Sequence, residues 1–188
     1  MHTLWCDEPI AYDGSQLRAH WLFARFGLVG DACVGFRGPC AVQRDEIADL
    51  ADVDGPGIAA NDMVHFVWES FRETDLLLAV HRQRLFAAQA AEVLARLGAT
   101  AAVRRDGDDL WVGGGKLSIS IATVSPVSSL LHFAVNAAPG GAPVAIATLA
   151  DLGISPRRFG EALLATAAAE QASIADARAK VRPKGEWR

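Results

Sequence analysis

Between residues 101 and 136 the chain alternates short β-compatible runs with glycine turns, and that spacing limits the folds open to it. Ala101-Ala102-Val103-Arg104-Arg105 reads as a strand and Asp106-Gly107-Asp108 as a turn. Leu110-Trp111-Val112 and Lys116 to Val124 read as a hairpin around Gly113-Gly114-Gly115. Leu130 to Asn136 is a further strand, closed by Pro139-Gly140-Gly141. Such short links join antiparallel neighbours, whereas a parallel pair needs a crossover of about a dozen residues or more. A doubly wound parallel sheet is disfavoured. The expected class is α+β, a mostly antiparallel sheet flanked by helices.

Elsewhere, residues 1–11, Asp31 to Phe36 and Asp62 to Phe71 read as strands, the second closed by Gly38-Pro39. Gln16 to Phe26 reads as a helix capped by Ser15 and stopped by Gly27. His81 to Leu97 is the clearest helix, with Leu85, Ala88, Ala91, Val93, Leu94 and Leu97 as its apolar stripe and Gly98 at its end. Leu76 to Val80 is a short strand or the lead-in to that helix. Ser155-Pro156 opens an alanine-rich helix to about Val181. Glu46 to Asp54 is an acid-rich connection. With 188 residues, one domain over 1–182 and a flexible tail over 183–188 are expected.

The net charge of −4 gives no basic face for nucleic acid, so no nucleic-acid partner is expected. No apolar run reaches the roughly 20 residues a bilayer requires. Met1 to Glu8 lacks a basic region followed by an apolar one. Cys6, Cys33 and Cys40 are odd in number and form no CxxC pair, which fits a reducing, cytoplasmic setting with neither disulfide framework nor zinc knuckle. No histidine pair has metal-ligand spacing, so no metal site is expected.

The chain holds 18 Lys plus Arg, and only Lys116, Lys180 and Lys184 are lysines. Lys116 is the single lysine of the first 179 residues. A lysine kept in an arginine background marks a place for a compact ammonium rather than a planar fork. Strand alternation would put Lys116, Ser118, Ser120 and Ala122 on one face, with Leu117, Ile119 and Ile121 turned to a core. Small and hydroxyl side chains beside one ammonium leave room for a flat or extended anionic ligand. The plain alternative is a surface hairpin with a solvated lysine.

Asp109-Leu110, with Gly115-Lys116-Leu117-Ser118, is similar to the Asn-Asp-(Ile/Leu) and Gly-x-Lys-(Ile/Val)-(Ser/Gly)-Gly strand pair of biotin and lipoate protein ligases. Leu131 to Asn136 resembles the strand that follows in biotin ligases. This resemblance covers residues 62–152. It implies the ligase-like fold, with Lys116 on a ligand carboxylate or its acyl-phosphate, Asp109 as the motif carboxylate and Ser118 as the small residue. It also implies ATP with Mg as cosubstrate. Over nearly its full length the chain resembles domain-of-unknown-function family 366, through Tyr12-Asp13-Gly14-Ser15-Gln16-Leu17, Phe36-Arg37-Gly38-Pro39, His81-Arg82-Gln83-Arg84-Leu85 and Gly115-Lys116-Leu117-Ser118. That resemblance implies the company of pterin and deazaguanine biosynthesis, hence a heterocyclic carboxylate such as a carboxy-deazaguanine. The ligases wrap the adenylate in arginine- and glycine-rich loops. The corresponding stretch here, Phe36 to Val42, keeps one arginine and one glycine, and Pro39 removes a backbone donor.

Other residues join the candidate site. Arg37, with Gly38 behind it, would clamp an anion or form a surface ion pair. His81, Arg82 and Arg84 cluster at the expected helix start, where the macrodipole attracts anions, but Arg82 and Arg84 stand about 200° apart. His65 and His132 are ligand partners or hydrogen-bonded core histidines. Ser120 and Asn136 complete the set, and Trp5, Trp21, Trp68 and Trp111 would stack on a ring or fill the core. Cys33 is expected in the core, and Cys40 is the candidate for a reactive thiol. Two functions remain open: a ligase- or transferase-like enzyme acting on a small-molecule carboxylate with Lys116 as the catalytic cation, or a binding module that kept the pocket and lost activation. A homodimer is the expected assembly, since twofold pairs are the commonest.

Overall fold

The computed structural model describes residues 1–185. Its strands and helices follow in the order β1 (His2–Trp5), α1 (Trp21–Phe26), β2 (Ala32–Ala41), β3 (Ala59–Ser70), α2 (Leu76–Arg96), β4 (Val103–Asp106), β5 (Asp109–Val112), β6 (Gly115–Lys116), β7 (Ser118–Val124), β8 (Ser129–Asn136) and α3 (Pro156–Lys180). The main sheet has five strands in the order β1-β2-β3-β8-β7. Among the described residues, β1 with β2 is the sheet's one parallel strand pair; the others are antiparallel, as the short turns require. A second sheet of three strands, β4-β5-β6, is built from the tight turns of residues 106–115.

Alternation along the main strands separates two packed faces. Val64, Phe66 and Trp68 of β3 and Leu131, Phe133 and Val135 of β8 face α2 and α3. There Phe66, Phe86, Phe133 and Phe159 meet edge-on or tilted, the geometry ring quadrupoles favour. Val34 and Phe36 of β2, Met63 and Val67 of β3 and Ala134 of β8 form the other face, under Tyr12 and Leu22. Both central strands thus bury side chains on both sides, with His65, Glu69, His132 and Asn136 among them, and β8 is buried along its whole length.

Several expectations are corrected. The first helix begins at Trp21, not Gln16, because His20 adopts a left-handed backbone (φ 66°) and the Glu69 carboxylate holds its N–H. Ser15 does not cap it; its hydroxyl donates to Asp13 in a local turn (2.6 Å). The central helix begins at Leu76, where Asp75 accepts the Leu78 N–H. Its buried residues are Ala79, Gln83, Phe86, Ala87, Gln89, Ala90, Val93 and Leu94, with Leu85 exposed. His81 therefore lies in the second turn, beyond the pull of the helix N-terminus.

Strand β2 does not stop at Gly38-Pro39. It runs on to Ala41 through a bulge between Gly38 and Cys40, the kind of place where a residue lacking N–H is tolerated. The backbone of Ile10 crosses there, and a Cβ on Gly38 would lie 2.1 Å from the Ile10 carbonyl oxygen. The helix from Pro156 ends at Lys180, and Ser155 accepts the Arg158 N–H. Of the flexible tail expected over 183–188, positions 186–188 lie outside the described residues.

A backbone pressed against Gly38 leaves no side chain free to yield. Gly38→Ala should lower stability by about 1–3 kcal/mol, read as a lower urea midpoint. An unchanged midpoint would contradict this crossing.

Candidate functional site

The face of the main sheet opposite α2 and α3 carries a cavity of about 210 Å³. Met63 of β3, Ile119 and Ile121 of β7, and His132 and Asn136 of β8 line its floor. Tyr12 closes one side, and the segments 42–58 and 142–146 form the other walls. Lys116 is the one lysine or arginine side chain in this lining.

Lys116 reaches the cavity because the chain changes sheets beside it. Leu117 donates its N–H to Leu110 of the smaller sheet (2.8 Å), and its carbonyl accepts from Asn136 of the main sheet (3.0 Å). The expected run from Lys116 to Val124 is thus two strands, and its alternation is broken. Ser118 lies opposite Val135 and Ser120 opposite Phe133, on the helix side, whereas Ile119 and Ile121 share the cavity side with Ala134 and His132. The expected side-chain faces are reversed for the serines and isoleucines, although Ser120 still borders the cavity. Ser118 Oγ accepts the Leu110 N–H (2.8 Å), and Ser120 Oγ donates to Asp108 (2.6 Å) while accepting from Gln83 (2.8 Å). Both hydroxyls have partners within the protein.

The backbone of Lys116 is clamped. Its N–H donates to Ala145 (3.0 Å), and its carbonyl accepts from Ala147 (3.1 Å) and from Asn136 Nδ2 (3.0 Å). Gly115 permits this, since a Cβ there would lie 2.7 Å from the backbone of Ile146 and Ala147. Lys116 Nζ stands 2.9 Å from Asp109 Oδ2 and 5.9 Å from the centre of the Trp111 ring. Burial pushes the Asp109 carboxyl up, and the neighbouring ammonium opposes that shift only in part.

His65 and His132 form a buried relay. The carbonyl of Gly38 can only accept, so His65 Nε2 carries the proton between them (3.1 Å). Neutral His65 then has a bare Nδ1, which accepts from Nε2–H of His132 (3.1 Å). Tyr12 stacks on His132 with ring centres 3.7 Å apart and planes within 5°, and Phe36 stacks on His65 at 5.1 Å. Burial lowers both imidazoles, His65 to about 4 and His132 well below its ordinary 6.5, so both are neutral at pH 7.

The remaining sequence candidates lie apart from the cavity. Arg37 leaves the opposite face of β2 and makes a bidentate pair with Asp62 (2.8 and 2.5 Å). Gly38 is a strand residue under Ile10, not part of a phosphate loop. His81 is exposed on α2. Arg82 pairs with Glu73, donates to Ser129 Oγ (2.8 Å) and covers Trp68. Trp5, Trp21, Trp68 and Trp111 are outside the lining. Cys33 is in the core, and Cys40 is buried with its thiol pushed up to about 12, which makes it a poor nucleophile at neutral pH.

Sequence reasoning missed Tyr12, the isoleucine floor and the roof. Glu46, Asp49 and Asp52 of the acid-rich connection recur every three residues and line the cavity. Their composition was visible, but nothing local shows that the segment folds back over the sheet.

Sheet order and helix placement define the chain as a protein of the biotin and lipoate protein ligase fold. Biotin protein ligase from Aquifex aeolicus, solved with biotin and ATP, matches with a TM-score of 0.60 at 8% identity, over 92% of this chain and 71% of that one. A T. acidophilum protein assigned as a lipoate protein ligase, with lipoic acid bound, matches with a TM-score of 0.54 at 14% identity, over 92% and 86%. At such identities the shared property is the fold. The chain belongs to the DUF366 family, described as a domain of unknown function, whose model matches residues 1–182. A protein of unknown function from Pyrococcus horikoshi is 40% identical, with a TM-score of 0.92 over 97% of this chain and 98% of that one.

The buried histidines give a pH test. The unfolded chain takes up a proton on each ring near pH 6.5, whereas folded His65 does so only near pH 4 and folded His132 well below 6.5. Stability is therefore greatest above pH 6.5 and is lost as pH falls towards 4. At ~1.4 kcal/mol per unit, His65 alone accounts for about 3 kcal/mol. Urea unfolding between pH 7 and pH 4 should show that decline, and His65→Gln, which can keep both hydrogen bonds, should make it shallower by the His65 share while His132 still contributes. A midpoint independent of pH would contradict two buried neutral rings.

Proposed function

We propose that the cavity binds a small organic carboxylate, free or as an activated acyl ester, whose oxygens meet Lys116 Nζ. The observation that carries this reading is the placement of Lys116: the one cationic side chain of the lining, held at a backbone position fixed from both neighbouring segments. Asp109 holds the ammonium in the free protein, and an incoming carboxylate takes over part of that contact. On an acyl ester, the same ammonium would stabilise the oxyanion that forms as a nucleophile adds to the acyl carbon. A volume of about 210 Å³ sits below the roughly 300 Å³ at which drug-sized pockets begin, which favours a small ligand. The floor of Met63, Ile119 and Ile121 favours an apolar or aromatic body. The narrower class, a fused heterocyclic carboxylate of pterin or deazaguanine type, rests on the family resemblance alone. A homodimer belongs to the same proposal and would appear as twice the chain mass in sedimentation.

ATP with Mg is what the fold resemblance would add, but the residues around this cavity fit a triphosphate poorly. The stretch expected to wrap an adenylate is strand β2, Arg37 is committed to Asp62 on the other face, and the roof carries Glu46, Asp49 and Asp52. That observation favours the second reading, a binding module without activation chemistry.

Two measurements separate these readings. Thermal shifts with aliphatic and heterocyclic carboxylates should identify a stabilising ligand, and Lys116→Gln should weaken it roughly ten- to a hundred-fold. That range follows from about 1.5–3 kcal/mol for a hydrogen bond to a charged group. Unchanged affinity in the variant would remove Lys116 from the site. Pyrophosphate release with ATP and the stabilising carboxylate would establish the activating enzyme; binding without release would establish the module.

A further inference from the structure

On the β8 floor of the cavity, the side-chain atoms left without a partner are acceptors, while Lys116 and the Tyr12 hydroxyl are donors in the lining. His132 gives its Nε2–H to His65, which leaves Nδ1 as a lone-pair acceptor with no partner among the described residues. His132 is only 2% exposed and lines the cavity. Asn136 uses its amide hydrogens on the carbonyls of Lys116 (3.0 Å) and Ala147 (3.3 Å), so Oδ1 is the amide atom it has left. The roof adds the carboxylates of Asp49 and Asp52. Lys116 is the cationic donor, and it stands beside Asn136 at one end of the floor. His132 lies four residues back along the same strand face, about 13 Å by strand rise.

No buried side-chain nitrogen or oxygen of the described residues lacks a partner, so this lone pair is open to the cavity, and a ligand that displaces water from it must supply a proton in its place. The tautomer is not free to adapt. Turning the Nδ1 of His132 into a donor would strip the proton from its Nε2, leaving two lone pairs facing each other between the rings. Restoring that contact would then require the His65 proton to move away from the Gly38 carbonyl, which can only accept.

We propose that His132 Nδ1 is a specificity-determining acceptor, reading a ring N–H at the end of the ligand remote from its carboxylate. The ligand class is a nitrogen heterocycle with an N–H on one edge and a carboxylate on the other. This rests on the carboxylate reading of Lys116 and adds the polarity of the opposite end. The same site should reject an isostere with oxygen in place of N–H, because two acceptors would then face each other in a desolvated wall.

The test uses three probes of nearly equal shape, namely indole-5-carboxylate, benzofuran-5-carboxylate and indole, titrated calorimetrically into the full chain. The expected result is that indole-5-carboxylate binds at least ten-fold more tightly than benzofuran-5-carboxylate. In His132→Phe that ratio should fall to within two-fold. Histidine-selective nitrogen NMR of the unmodified protein should show His132 with bare Nδ1 and protonated Nε2, and the Nδ1 resonance should move with indole-5-carboxylate but not with the benzofuran. Equal affinity for the two carboxylates, or a protonated Nδ1 in the free protein, overturns the proposal and leaves the Lys116 reading standing. Equal affinity for indole and indole-5-carboxylate overturns the Lys116 reading while the N–H preference is still read from the isostere pair. Failure of all three probes to bind overturns both. The wild-type ratio and the NMR pattern need no variant, so a misfolded His132→Phe does not decide the outcome.

Discussion

The functional geometry depends on one residue that hydrogen-bonds to two sheets. Leu117 gives its N–H to the three-stranded sheet and its carbonyl to the five-stranded one. Its side chain is fully buried between them. The residue before it, Lys116, is thereby held at the cavity wall, with Gly115 small enough to let the 145–147 segment close over it. A lysine is long and flexible, but its starting point here is not. A backbone fixed by several hydrogen bonds confines the ammonium to the region around Asp109 and the cavity mouth.

The main sheet divides its two faces between different tasks. Towards α2 and α3 it packs Phe66, Phe86, Phe133 and Phe159, a dry aromatic core in which edge-on contacts fix the helix positions. On the other face the same strands carry His65 and His132 in a column with Phe36 and Tyr12. Two imidazoles survive burial because each meets the other and one ends on the Gly38 carbonyl. The bulge that keeps Gly38 and Pro39 within β2 therefore also sets the protonation pattern of a cavity residue two strands away. Structure and chemistry meet in that carbonyl.

Much of the fold was legible from local signals. Glycine turns between residues 101 and 136 required antiparallel neighbours, and antiparallel pairing dominates both sheets. Ser155-Pro156 opened the last helix as expected. The errors share a physical origin. The stretch Gln16 to His20 has helical spacing, but Glu69, nearly fifty residues away, binds the His20 N–H and holds the chain out of the helix. Gly38-Pro39 reads as a terminator, but the crossing backbone of Ile10 turns it into a bulged strand. Arg37 reads as an anion clamp or an ion pair, and Asp62 on the neighbouring strand makes it an ion pair.

The sequence by itself determined the α+β class, the strand that follows the glycines, and a solitary lysine with an aspartate seven residues before it. Those features are local, since turn chemistry, alternation and charge spacing act over a few residues. Tertiary structure alone decided which face of that strand meets a ligand, because alternation carries across a run only while the run stays in one sheet. The change of sheets at Leu117 turned Ser118 and Ser120 inward and Ile119 and Ile121 towards the cavity. It also decided that the acid-rich connection is a roof and that His65 and His132, 67 positions apart, share one proton path. Contacts between distant segments are set by how strands register and cross, and no local pattern of residues encodes that.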